Sequence, residues 1–212
     1  MKLIGRSGSS ASYRVRIALA LKGAGDRVAI EHITEGAQYD DAFRALNPQM
    51  RLPCLVTEDG VIVQSMAILE YLDEVFPDPP LLPGSALDRA RSRAIAQIVV
   101  ADIHPLQNTG ALRVLGTDFG LGAEAQQDWA RHWIRRGLAA CEELLTTHPT
   151  GPFATGDTPG MADICLIPQM RNAARFGVDI SDLTRLAAIA AAAAEHPAFI
   201  AAHPDNNPNP DD

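Results

Sequence analysis

The sequence predicts a small mixed α/β domain followed by an all-helical one, and three observations carry the prediction. Short apolar runs alternate with helical patterns up to about residue 76. A proline-rich stretch, Pro77-Asp78-Pro79-Pro80-Leu81-Leu82-Pro83-Gly84, then interrupts the chain. Beyond it helical patterns follow one another and no strand pattern appears. The boundaries read as residues 1–78 for the first domain, 79–84 for a linker, 85–204 for the helical domain and 205–212 for a disordered tail.

The first domain reads as βαβ, then αββα. Lys2-Leu3-Ile4 is a strand, and Ser12 to Lys22 a helix closed by Gly23. Arg27 to His32 is a second strand, and Asp41 to Leu46 a short helix stopped at Asn47-Pro48. Leu55-Val56 and Val61-Ile62-Val63 flank Glu58-Asp59-Gly60, a hairpin signal. Ser65 then caps a helix with Ile68, Leu69, Leu72 and Phe76 on one face.

In the second domain helices are expected over Asp88 to about Leu115, Ala123 to about Thr147, Met161 to Phe176 and Asp182 to Glu195. Pro105 should kink the first of them near Ile103. Gly160 reads as the N-cap of the third, tolerated there without a side-chain acceptor, with Asp163 at N3, a folding feature. The tail after Pro204 is rich in Asn, Pro and Asp, a composition of disorder.

Composition narrows the function. A net charge of −8 speaks against nucleic acid or anionic membrane as partner. No apolar run reaches the roughly 18 residues of a membrane span, and the N-terminus lacks a signal peptide's core. Cys54, Cys141 and Cys165 are widely spaced and show no CxxC or Cys/His ligand pattern. They read as small apolar fillers in a cytoplasmic protein, with neither a disulfide framework nor a metal site.

The segment Ser9-Ser10-Ala11-Ser12-Tyr13-Arg14-Val15-Arg16-Ile17-Ala18-Leu19 carries the chemistry. Tyr13, Ile17, Ala20 and Leu21 recur at helix spacing, so the hydroxyls sit where a strand gives way to a helix. The first N–H groups of a helix lack internal partners and attract an anion. If that anion is a thiolate, its conjugate acid is strengthened and the sulfur is a usable nucleophile near neutral pH. A serine-rich helix cap without chemistry fits this segment alone equally well.

The segment resembles the Ser-Ser-Cys-x-Trp-Arg-Val-Arg-Ile-Ala-Leu signature of zeta-class glutathione transferases, the maleylacetoacetate isomerase family. Ala11 stands in place of the family's Cys and Tyr13 in place of its Trp. The likeness runs through nearly the whole chain, the tail excepted. It implies a thioredoxin-like first domain, a helical second domain, glutathione as cofactor, and a homodimer. Ser9 or Ser10 then donates to the glutathione sulfur, with Ser9, the first serine of the motif, favoured and the N–H of Ala11 adding to the electrophilic surroundings.

The same resemblance assigns further residues. Pro53 matches a cis proline that turns the backbone of Leu52 toward the cysteinyl unit. Gln64-Ser65 is similar to the pair that takes the γ-glutamyl carboxylate, and Gln38 matches a contact to the glycine end. His104 and Asn108, four apart on one helix face, match a position that reaches glutathione. Arg175, in Gln169-Met170-Arg171-Asn172-Ala173-Ala174-Arg175-Phe176, matches an arginine whose planar fork binds the carboxylate of a small dicarboxylic keto-acid.

The His104-Pro105 pair is similar to bacterial maleylpyruvate isomerases, whereas Gly8 and Gly110 stand where those carry extra arginines. Maleylacetoacetate and maleylpyruvate both remain candidate substrates. Two other readings compete. One is a transferase or dehalogenase acting on halo-acids or other electrophiles, which would consume glutathione. The other is a non-catalytic glutathione-binding module, which would lack an activating serine.

Overall fold

The protein's structure, a computed structural model, describes residues 1–148 and 151–210. The chain divides into two units. One comprises Met1–Leu81 and the segment from Glu195 onward, the other Leu82–Ala194.

The first unit is built on β1 (Lys2–Gly5), β2 (Ala29–His32), β3 (Cys54–Val56) and β4 (Val61–Val63). Their order is β2-β1-β3-β4, with β2 parallel to β1 and the other pairs antiparallel. Neighbours along β1 point to opposite faces. Both Leu3 and Ile4 are buried, so the sheet is covered on both sides. Ile4 packs with Cys54 and with Phe43 of α2 (Asp41–Leu46). α1 (Ser10–Leu21) and α3 (Ser65–Val75) pack against each other and bury Val15, Ile17, Ile68, Leu69 and Leu72. Thioredoxin-like βαβ and ββα halves are thus present as the sequence predicts.

Two close contacts fix α1. A Cβ on Gly5 would lie 2.8 Å from Ser12 Oγ, so the strand meets the helix closely only with glycine there. At the other end the buried Lys22 ammonium bonds Asp73 of α3 (2.5 Å) and the Pro79 carbonyl (2.6 Å). Asp73 also accepts the N–H of Leu81 (2.8 Å), which ties the proline-rich stretch to the helix pair.

In the second unit the single helix expected from Asp88 to about Leu115 is four pieces. They are α4 (Ala86–Gln97), a π-helical turn over Ile98–Ile103, α5 (His104–Gln107) and α6 (Thr109–Thr117). Pro105 has no N–H and its ring collides with an ordinary helical carbonyl. The backbone widens just before it, and the His104 N–H reaches back to Val99. α7 (Ala123–Thr147) runs over the expected range and buries Ala130, Ile134, Leu138, Cys141 and Leu145 at helical spacing. A Cβ on Gly137 of α7 would overlap the Ile103 side chain, so glycine lets the π-helical turn approach.

α8 (Met161–Arg175) begins as predicted, with Gly160 at the N-cap and Asp163 at N3. Asp163 accepts the N–H of Gly160 (2.9 Å) and, through its other oxygen, that of Ala154 (2.8 Å). α9 (Thr184–Ala194) is shorter than expected, and a separate α10 (Pro197–Ala202) follows. The boundary expected at residue 204 is corrected to 194, because α10 packs on α1 and belongs to the first unit. The tail expected to be disordered is corrected too. Pro204–Asn206 form a 3-10 turn, and Asn206 and Asn207 bond the carbonyls of Ile200 and Ala201, both at 2.8 Å. Residues 211 and 212 lie outside the described residues.

Candidate active site

Strand register gathers the predicted residues of the first unit. Ile4 pairs with Cys54, and Cys54 with Val63. Arg6 to Ser9, Leu52-Pro53 and Gln64-Ser65 therefore leave the sheet at one end. Gly5 pairs with His32 in the parallel strand, so the segment leading to Gln38 starts from that end as well.

Ser9 is the N-cap of α1, and its Oγ accepts the N–H of Ser12 at 3.2 Å. The hydroxyl proton has no acceptor among the described residues. A serine oxygen held this way keeps one donor that can turn toward a ligand. Ser10 and Ala11 form the first turn and are buried.

The Leu52-Pro53 peptide is cis. Leu52 is half-buried, and its N–H and C=O have no hydrogen-bond partner among the described residues. Asn47 braces this loop. Its Nδ2 donates to the Arg51 carbonyl (2.6 Å) and its Oδ1 accepts the N–H of Gln49 (3.0 Å).

Ser65 does not cap α3; Gln64 does, at φ +71°. The hydroxyl of Ser65 accepts from the Arg14 guanidinium of α1 (3.3 Å). A positive φ at a side-chain-bearing residue costs about 1–3 kcal/mol, and such residues cluster at ligand clamps. Gln64 is steadied by a bond from Nε2 to Gln49 Oε1 (2.6 Å). Gln38 sits in a 3-10 turn, Ala37–Tyr39, with Oε1 buried and without a partner.

In the second unit His104 and Asn108 meet, Nε2 to Nδ2 at 3.3 Å, although they do not share one helix as expected: α5 ends at Gln107 and Asn108 is extended. Asn108 also caps α6, its Oδ1 accepting the N–H of Gly110 (3.2 Å), a structural task the sequence reading did not assign. Arg175 ends α8 exposed, with no ion-pair or hydrogen-bond partner among the described residues. Asn47, Ser7 and Arg16 brace these loops and were missed. The available signal was two arginines, Arg14 and Arg16, on a helix apolar on every side.

Cys54, Cys141 and Cys165 are buried and unbridged. Burial pushes the Cys54 thiol up to about 11 and the Cys141 thiol up to about 12. A thiol reagent at pH 7.5 is expected to titrate none of the three rapidly in the folded protein and all three after denaturation. Fast labelling of one would contradict their role as fillers. Among the described residues no three His, Cys, Asp or Glu side chains form a metal-binding group, and no helix is long and apolar enough to cross a membrane.

Residues 8–75 match the family described as the glutathione S-transferase N-terminal domain. The chain is 44% identical to a maleylacetoacetate isomerase of Pseudomonas aeruginosa, over 99% of this chain and 98% of that one. It superposes with a TM-score of 0.94 on a holo bacterial maleylpyruvate isomerase described as a zeta-class glutathione S-transferase. That protein is 42% identical, and the match covers 98% of this chain and 99% of the other. A maleylacetoacetate isomerase of Anaeromyxobacter dehalogenans, with dicarboxyethyl glutathione and citrate bound in its active site, gives a TM-score of 0.84. Its identity is 40%, covering 99% and 94% of the two chains. With its cis proline, its serine-capped α1 and this kinship along its whole length, the chain belongs to the zeta-class glutathione transferases, the maleylacetoacetate isomerase family.

Proposed function

We propose that the protein is a glutathione-dependent cis–trans isomerase that converts a small maleyl keto-acid, maleylacetoacetate or maleylpyruvate, to its fumaryl isomer. The observation that carries this reading is Ser9, whose oxygen accepts the Ser12 N–H while its proton has no acceptor among the described residues. The relatives' names and the ligands of the Anaeromyxobacter protein support it.

The residues fit a tripeptide thiol. The open N–H and C=O of Leu52 suit a short extended peptide, which pairs as an added strand does. The buried, unpartnered Gln38 Oε1 suits the peptide N–H at the glycine end. Gln64, Ser65 and the N-terminus of the 11-residue α3 suit the γ-glutamyl carboxylate. His104 and Asn108 are proposed as a further contact to glutathione.

Bound glutathione supplies a thiolate that adds to the activated cis double bond, leaves a single bond free to rotate, and departs unchanged as the trans bond forms. The chain's part is to stabilise charge and to position. The Ser9 hydroxyl donates to the sulfur and favours its ionised form. Ser10 and the Ala11 N–H add the partial positive charge of the helix start. Arg175 holds a substrate carboxylate with its planar fork.

S-methylglutathione, which lacks the thiol, should compete with glutathione and support no turnover. Turnover with it would refute the reading. Arg175→Ala is expected to raise KM for the acid on the order of tenfold or more, the loss of one charge-assisted pair, with a smaller change in kcat. Unchanged saturation would make Arg175 a helix-end charge only. The proposal extends to a cytoplasmic homodimer, in keeping with three unbridged cysteines and the exposed apolar side chains Leu87 and Val114.

A further inference from the structure

We propose that Asn209, in the C-terminal segment, is a positioning residue that sets the aim of the Ser9 hydroxyl by holding the turn before α1. The inference rests on the assignment of Ser9 as the sulfur's hydrogen-bond donor.

The turn runs from Arg6 to Ser9 and is closed by the Ser9 N–H on the Arg6 carbonyl (3.2 Å). Ser7 is buried, and all its polar groups are taken by other parts of the chain. Its N–H donates to Asn209 Oδ1 at 2.7 Å. Its hydroxyl donates to the Pro204 carbonyl at 2.9 Å. Its own carbonyl accepts from the Arg16 guanidinium at 3.0 Å. Arg16 also donates to the carbonyls of Arg6 (3.2 Å) and Ala202 (3.1 Å), so one buried cation bridges the turn and the end of α10.

At its start the turn is held by Arg6, whose N–H donates to Ser12 Oγ (3.4 Å) and whose guanidinium donates to the Ile33 carbonyl (3.3 Å) and lies 3.7 Å from the Glu35 carboxylate. Gly8 is exposed, and a Cβ there would meet no atom within 4 Å. Between Arg6 and Ser9 the buried anchor is Ser7, two residues upstream of Ser9, and it is Ser7 that ties the turn to the C-terminal segment. The C-terminal segment is itself anchored. His32 Nδ1 lies 2.9 Å from the Pro208 carbonyl, and the Asn207 amide donates to the carbonyls of Ala201 and His203, both at 2.8 Å. Asn209 belongs to that anchored run, and its bond to Ser7 spans 202 residues of sequence. Without the Asn209 oxygen the buried Ser7 N–H loses its acceptor, and the turn must shift to find water. A shift well under 1 Å degrades a hydrogen bond meant to strengthen as charge concentrates on sulfur.

The test compares Asn209→Ala, Asn209→Asp and Ser9→Ala with the parent. The readouts are the pH midpoint of thiolate absorbance of bound glutathione, kcat, and thermal melting. In Asn209→Ala the midpoint should rise toward that of free glutathione and kcat fall on the order of tenfold. Asn209→Asp keeps the accepting oxygen and should restore both. A parental midpoint and kcat in Asn209→Ala, with both altered in Ser9→Ala, would overturn the positioning role alone. A parental midpoint in Ser9→Ala would instead overturn the assignment beneath it. If Asn209→Asp restores melting but neither midpoint nor kcat, the contact is structural only and the proposal fails.

Discussion

Ser9→Ala should lower kcat on the order of 10²-fold, the cost of removing one donor from developing charge. The variant loses two bonds with different consequences. Its oxygen no longer caps α1 through the Ser12 N–H, which costs stability of about 1 kcal/mol. For a chain of 212 residues that is a melting shift of about 2–4 °C, so the variant remains folded at assay temperature. Its proton no longer reaches the sulfur, so the thiol of bound glutathione ionises at higher pH and the acid limb of the rate profile moves up. Ser9→Thr keeps both functions and should recover most of the rate. A parental rate in Ser9→Ala would transfer the role to Ser10 or to the backbone.

Asp163→Ala is expected to bring the largest loss of stability, about 3 kcal/mol or more, because two buried N–H groups lose their acceptor together. That is a sizeable part of an ordinary stability of about 5–15 kcal/mol. The melting temperature should fall by about 6 °C or more. Thermal unfolding of the purified variant checks this, and a shift of a degree or two would mean that water replaces the carboxylate.

Asp163 also predicts a pH dependence. Burial pushes its carboxyl up to about 6, against the opposing pull of the Gly160 and Ala154 N–H groups. Between the unfolded carboxyl's range near pH 4 and about pH 6 the folded state therefore binds the proton more tightly. This contribution to stability is complete below that window and is lost as pH rises through about 6. In Asp163→Asn it should be absent, so the parent's stability relative to that variant declines from pH 4 to 6 and is level above.

The first domain was legible because its signals are local. Leu3-Ile4, the serine cap, Gly23, the turn at Asp59-Gly60 and the apolar face of α3 each read from a few neighbouring residues. Asp163 was legible for the same reason. Gln64 was not, since its positive φ follows from how β4 is joined to α3 and no residue preference announces it. The alanine run Ala190 to Ala194 favoured one continuous helix to Glu195 and hid the restart at His196-Pro197, where the histidine ring caps α10. The tail misled most. Its composition is that of disorder, and its order comes from partners such as Ser7 at the opposite end of the sequence.

At the site the pattern repeats. Ser9, Ser10, Ala11, Leu52 and Pro53 stand in contiguous motifs, whereas Asn47, Ser7 and Arg16 act on backbone groups that only the folded chain brings near. Asn108 shows one residue taking on a task beyond the one read from its sequence. Its spacing placed it on one helix face with His104, whereas the chain breaks at Asn108, which meets the His104 ring and caps the next helix.

The most direct measurement follows the absorbance of maleylacetoacetate and of maleylpyruvate with glutathione absent and with glutathione far below the acid concentration. The account predicts that the cis form of one of them is lost rapidly only with glutathione, over many turnovers per glutathione, with the thiol recovered in full. Loss without glutathione, loss that stops when glutathione is consumed, or no loss of either acid would contradict it.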